Sequence, residues 1–213
     1  PDIIIHCIAD TNIERCEQDK GGTLMLHCAL TDYLSSFDSK FIYISTDAVI
    51  KPVNFYSKSK LLGEKISLMN NERSIIVRCN MYGINSSSKN SLFEWAYANL
   101  KESIKIKGYS GIIFNAVYTK QIVQSVDKII QTDFSGIINI GGNYSISKFE
   151  FLRKICKHFD FDTKLVSEEK LSNNDNIRRP LDTTLDTTVL NKEFGITLTL
   201  KDGFRQLRRD LYE

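Results

Sequence analysis

Lys40-Phe-Ile-Tyr-Ile-Ser-Thr-Asp-Ala-Val-Ile-Lys-Pro-Val-Asn-Phe-Tyr-Ser-Lys-Ser-Lys-Leu-Leu-Gly-Glu64 is the stretch from which the fold can be read. Lys40–Ser45 is a short apolar run of β-branched and aromatic residues, and it stops at the small polar residues Ser45-Thr46-Asp47. A buried strand ending in a turn is expected there. From Tyr56 the period changes. Leu61, Leu62, Ile66 and Met69 recur at helical spacing and predict a helix to Asn70.

The same alternation repeats on both sides. Apolar runs at Ile3–Ile8, Ser74–Cys79 and Gly136–Ile140 predict strands, and Thr23–Ser36, Ser91–Lys101 and Gln121–Gln131 predict helices between them. Strands separated by helices make βαβ units, hence an α/β fold with a parallel sheet covered on both faces. After residue 141 the character changes. A helix is expected over Ser147–Phe159, then a polar stretch, Ser167–Arg179, then two short helical patterns around Gly195. This predicts a sheet domain over 1–141 and a smaller lobe over 142–213.

The 213 residues are 42% apolar and 25% charged, a globular composition long enough for one substantial core. Twenty-eight basic against 26 acidic residues leave a net charge of +2, which gives no reason to expect nucleic acid or a membrane surface as a partner. No apolar run reaches the ~18–20 residues of a bilayer span. Cys7, Cys16, Cys28, Cys79 and Cys156 are odd in number and widely spaced, so neither a disulfide framework nor a metal site is expected. Cys7 and Cys79 fall in apolar runs and are expected to be buried. A reducing, cytoplasmic setting follows.

The chemistry concentrates at Tyr56 and Lys60. Four residues apart on a helix, they share a face. An ammonium near a phenol favours the ionised form, so the Tyr56 pKa is expected to fall from about 10. Such a pair can serve as general acid or base on a carbonyl or alcohol. A solvated Tyr and Lys at a helix start is the plain alternative, and the spacing alone is common. The surroundings add weight. In an open parallel sheet, ligands bind beyond the carboxyl ends of the strands. Three such ends carry small polar residues: Ala9-Asp10-Thr11, Ser45-Thr46-Asp47 and Asn80-Met81-Tyr82-Gly83. Ser45 and Thr46 could also merely cap a turn.

Pro1-Asp-Ile-Ile-Ile-His-Cys-Ile-Ala-Asp-Thr-Asn12, Tyr43-Ile-Ser-Thr-Asp-Ala-Val49, Tyr56-Ser-Lys-Ser-Lys-Leu-Leu-Gly-Glu64, Val77-Arg-Cys-Asn-Met-Tyr-Gly83, Asn139-Ile-Gly-Gly142, Ile146-Ser-Lys-Phe-Glu-Phe151 and Arg179-Pro-Leu-Asp-Thr-Thr-Leu-Asp186 together resemble the extended short-chain dehydrogenase/reductases of the dTDP-4-dehydrorhamnose reductase type. The resemblance implies a Rossmann-type doubly wound sheet and a substrate-binding C-terminal lobe, with residues 84–113 contributing to the substrate side. It implies NADP(H) or NAD(H) as cofactor, a nucleotide-sugar substrate and reduction of its 4-keto group for surface polysaccharide synthesis. Tyr56 would donate the proton, Lys60 would lower the Tyr56 pKa and hold the nicotinamide ribose, and Thr46 would orient the carbonyl. Cys7, Ile8, Ala9, Ser45, Met81, Tyr82 and Gly83 would lie along the dinucleotide. Asp47, Asn80 and Arg179 would meet the sugar nucleotide. Homodimerisation through 23–36 and 56–70 is possible by the same analogy.

Three departures stand against the pattern. The glycine-rich phosphate loop is absent, which leads to the expectation either that about two βα units, roughly 60 residues, precede Pro1, or that the protein is a degenerate relative that cannot hold a dinucleotide. The connection from Val49 to Tyr56 is short. His27 stands where the family often has Asn. Asp47-Ala48 lacks the Glu of the related dehydratases, which disfavours that activity. A dinucleotide-binding regulatory subunit without turnover, or an epimerase of the same fold, are the competing readings.

Overall fold

The computed structural model describes residues 1–85, 91–170 and 180–212. In chain order, β1 (Ile3–His6) is followed by α1 (Ile13–Gln18), α2 (Lys20–Leu24) and α3 (Leu30–Ser35). Next come β2 (Lys40–Thr46), α4 (Phe55–Asn70), β3 (Ile75–Cys79), β4 (Met81–Tyr82) and α5 (Leu92–Lys101). Then follow β5 (Ile106–Tyr109), β6 (Ile113–Phe114), β7 (Val117–Tyr118), α6 (Thr119–Ile130) and β8 (Gly136–Ile140). The chain closes with β9 (Ile146–Ser147), α7 (Lys148–His158), β10 (Val166–Glu169), α8 (Thr188–Phe194) and α9 (Leu200–Tyr212).

The central sheet has the order β1-β2-β3-β8, and every pairing in it is parallel. Ile5 pairs with Ile42, Ile42 with Ile75, and Ile75 with Gly136. Both faces are covered, which is why the inner strands are apolar without alternation. On one face Ile42, Val77 and Ile138 pack against Ile122, Val126 and Ile129 of α6. On the other, Phe41, Tyr43 and Ile76 pack with Leu34 of α3. The α/β architecture with a parallel sheet is the one expected from the sequence.

A second core gathers Phe93 and Leu100 of α5, Ile106 of β5, Phe151 and Ile155 of α7, and Phe204 and Leu207 of α9. It is joined by a parallel pairing of β5 with β10. The chain end serves both cores. Leu190, Ile196 and Leu198 return to the sheet side, beside Ile138 and Ile140. The turn between α8 and α9 that makes this possible is closed by Gly195 in the left-handed conformation, φ 63°.

Two local expectations are corrected, and one helix is added. β1 ends at His6, so Cys7 is exposed rather than buried, whereas Cys79 is buried as expected. The single helix expected over 23–36 is broken by one widened turn, Met25–Ala29, between α2 and α3. α1 was not evident from periodicity; its mark is Asn12, whose side chain accepts from the Arg15 N–H as an N-cap.

Candidate active site

α4 is held at its start from two directions. The Asn54 side chain accepts from Ser57 N–H at 2.8 Å, and Ser57 Oγ accepts from Asn54 N–H at 3.3 Å, a reciprocal cap. Glu17 from α1 accepts from the Phe55 N–H at 2.8 Å. These contacts set the phase of the helix, and therefore the directions of Tyr56 and Lys60.

Both residues line a cavity of about 630 Å³ beyond the carboxyl ends of β1, β2 and β3. Cys7 and Ala9 reach it from β1, Ser45, Thr46 and Asp47 from β2, and Asn80 and Met81 from beyond β3. The structure thus brings together nine of the residues singled out in the sequence. Ile8 is exposed and Tyr82 is buried, its ring 5.2 Å from Phe151 and 5.4 Å from Phe204. Gly83 packs on Thr119, and none of these three lines the cavity. Arg179, with Arg178, lies outside the described residues. One wall escaped the sequence reading. Thr119, Ile122, Val123 and Val126 of α6 face the strand ends. Their signal was an apolar stripe wider than one packed face needs, with Val123 left exposed.

Thr46 Oγ1 donates to Asp47 Oδ1 at 3.0 Å and accepts from Ala48 N–H at 3.2 Å, and Asn80 donates to Asp47 Oδ2. Lys60 is buried, with Nζ donating to the Ile44 carbonyl at 2.7 Å and lying 3.9 Å from the centre of the Tyr43 ring. Burial brings its pKa down to about 8. Tyr56 goes the other way. Burial pushes its phenol up to about 12, against a smaller opposing pull from the Thr46 hydroxyl. The expected depression of the Tyr56 pKa by Lys60 is therefore corrected: desolvation dominates, and the ammonium is directed at a backbone carbonyl and an aromatic face. Beneath the strand end, Ser45 donates to Glu64, which Arg78 also grips.

A half-buried phenol held protonated, beside a buried hydroxyl and a buried lysine at the strand ends, is an arrangement for protonating an oxygen. Residues 1–210 match the family described as the RmlD substrate binding domain. The chain belongs to that family. Its fold is shared with the dTDP-4-dehydrorhamnose reductase of Bacillus anthracis str. Ames, solved in complex with NADP, at a TM-score of 0.87 and 21% identity, covering 99% of this chain and 81% of that one. The spore coat polysaccharide biosynthesis protein SpsK of Bacillus subtilis is 24% identical over 78% of this chain and 64% of its own length. Methionine adenosyltransferase 2 subunit beta of Xenopus laevis is 24% identical over 90% of this chain and 65% of its own length. The RmlD-family chain thus spans a little under two thirds of each of these two curated relatives. Among the described residues no helix is long and apolar enough to cross a membrane.

Proposed function

We propose that the protein reduces the 4-keto group of a nucleotide-activated deoxysugar with NADP(H) or NAD(H), in the manner of a dTDP-4-dehydrorhamnose reductase. The observation that carries this reading is the placement of Tyr56, Thr46 and Lys60 on one cavity at the strand ends, with the phenol kept protonated. The donor set suits the nicotinamide-ribose end of such a cofactor. Lys60 presents a buried ammonium, and the small residues Cys7 and Ala9 allow close approach to the strand ends. Ala9-Asp10-Thr11, not a glycine-rich turn, follows β1. When bound, the dinucleotide supplies the hydride. Tyr56 Oη gives its proton to the keto oxygen as charge develops there, and the Thr46 hydroxyl orients that oxygen. Lys60, its ammonium directed at the Ile44 carbonyl and the Tyr43 ring, serves the cofactor's ribose end rather than the phenol.

The second core, with α5, α7 and α9, serves in this reading as the substrate-side lobe, and it draws residues from both sides of residue 141, Phe93 and Leu100 as well as Phe151 and Phe204. A cytoplasmic enzyme supplying polysaccharide precursors is the accompanying expectation. A homodimer through α2–α4 is supported by the exposed Met25, Tyr33, Leu62 and Met69 on those elements; light scattering after gel filtration tests it.

The deciding assay is NADPH or NADH consumption with a dTDP-4-keto-6-deoxyhexose, run beside calorimetric titration of each dinucleotide. Turnover that is lost in Tyr56→Phe supports the proposal. Dinucleotide binding without turnover favours the regulatory-subunit reading. No binding at all overturns both.

A further inference from the structure

His27 sits in the middle of the widened turn, Met25–Ala29, and is fully buried. Both of its ring nitrogens are engaged. Nε2 is 3.0 Å from the backbone N–H of Asp10, just beyond β1. A backbone N–H can only donate, so Nε2 carries no proton. Nδ1 is 2.8 Å from Ser59 Oγ, and Ser59 Oγ donates to the Tyr56 carbonyl at 2.9 Å. The single hydroxyl proton is committed to that carbonyl, so Nδ1 is the donor of the pair. The imidazole also meets the Tyr56 ring edge-on, with centroids 5.8 Å apart at 77°.

The backbone at His27 is fixed as well. Its carbonyl accepts from Thr31 Oγ1 at 2.9 Å, and Thr31 Oγ1 is 3.1 Å from His6 Nε2. A Cβ on Gly63 of α4 would come within 2.5 Å of the same carbonyl, so the widened turn rests directly on the helix that carries Tyr56.

We propose that His27 is a positioning residue, a neutral imidazole strut that ties the exit of β1 at Asp10 to Ser59 and Tyr56 and so sets the orientation of the proton donor. This rests on the reductase reading of Tyr56. A protonated ring would turn an Nε2–H against the Asp10 N–H, two donors facing each other. Burial, and behind it the charge of Lys60, hold the ring far below the usual histidine range, at about 4. Of the other groups facing it, Asp10 opposes that shift and His6 adds to it. The asparagine that the family resemblance leads one to expect here offers no aromatic edge to Tyr56.

Two measurements test the strut on the intact protein. Long-range nitrogen–proton NMR of labelled histidines should show His27 in the Nδ1–H tautomer with no titration between pH about 5 and 8. An Nε2–H tautomer, or a midpoint near 6, overturns the proposal. In steady-state assays with a dTDP-4-keto-6-deoxyhexose and NADPH, His27→Ala should lower kcat by about 10²-fold, the scale of a slightly misplaced catalytic group, with both KM values held within about twofold. His27→Gln, whose amide can donate to Ser59 and accept from Asp10, should recover about tenfold of that loss. Ser59→Ala severs the link at its other end and should lower kcat in the same direction, which keeps the comparison available if His27→Ala does not fold. An unchanged kcat in the folded variants, or a loss confined to KM, overturns the positioning role. A wild type that turns over no keto sugar overturns the reductase reading and the positioning role with it, whereas the tautomer is settled by NMR without reference to activity.

Discussion

Arg78 on β3 grips the carboxylate of Glu64 on α4, with Nε 3.0 Å from Oε1 and Nη2 2.6 Å from Oε2, and the Glu64 side chain is 2% exposed. One residue pair thereby locks α4, the helix that carries Tyr56 and Lys60, to the sheet, one turn beyond Lys60. Glu64 also accepts from Ser45, the neighbour of Thr46. Removing the arginine leaves a buried carboxylate without its counter-charge. Arg78→Ala should lose about 3–5 kcal/mol of stability, read from urea unfolding. A loss below about 1 kcal/mol would show that water reaches Glu64 without the guanidinium.

Gly63 tests the closeness of α4 to its neighbours. Alanine in a helix is ordinarily favoured over glycine by about 1 kcal/mol. Here the added Cβ would stand 2.4 Å from Tyr43 Oη and 2.5 Å from the His27 carbonyl. Overpacking of this kind costs about 1–3 kcal/mol. Gly63→Ala should therefore lower Tm, and a raised Tm would contradict the packing.

Tyr56→Phe removes the proton donor of the proposed reduction and leaves the ring in place. Loss of a general acid should lower kcat by about 10²–10⁴-fold. Tm should remain close to that of the wild type, because among the described residues the phenol's side-chain hydrogen-bond partner is the Thr46 hydroxyl alone. Residual activity above a tenth of wild type would reassign the donor.

The two buried histidines of the sheet–helix layer make stability depend on acid. Burial, with Lys60 behind it, lowers both His6 and His27 from 6.5 to about 4. Their folded pKa lies below the unfolded one, so the unfolded chain binds more protons between these values. Stability is then complete above pH 6.5 and falls as pH drops toward 4, by a few kcal/mol for the pair. Urea midpoints at neutral pH and near pH 4.5 measure it. A double variant, His6→Gln with His27→Gln, should lose most of that slope.

The strands were legible because a parallel sheet covered on both faces makes them plain apolar runs, and β2, β3 and β8 fall where the runs do. Helical spacing by itself places Tyr56 and Lys60 on one face, four residues apart. Asn12 as a cap and the widened turn at His27 were not legible, since each depends on a single side chain or one extra residue per turn rather than on a period.

Local pattern thus settled which segments are strands and helices, and which residue types stand at the strand ends, because period and residue chemistry are properties of neighbours along the chain. Only the tertiary structure decided the rest. The return of Leu190 and Ile196 to the sheet core, the wall that α6 adds to the cavity and the grip of Arg78 on Glu64 join residues far apart in sequence. The direction of the Tyr56 pKa was decided there too. Spacing brings an ammonium onto the same helix face, but burial sets how strongly each charge is penalised, and burial is a property of the packed whole.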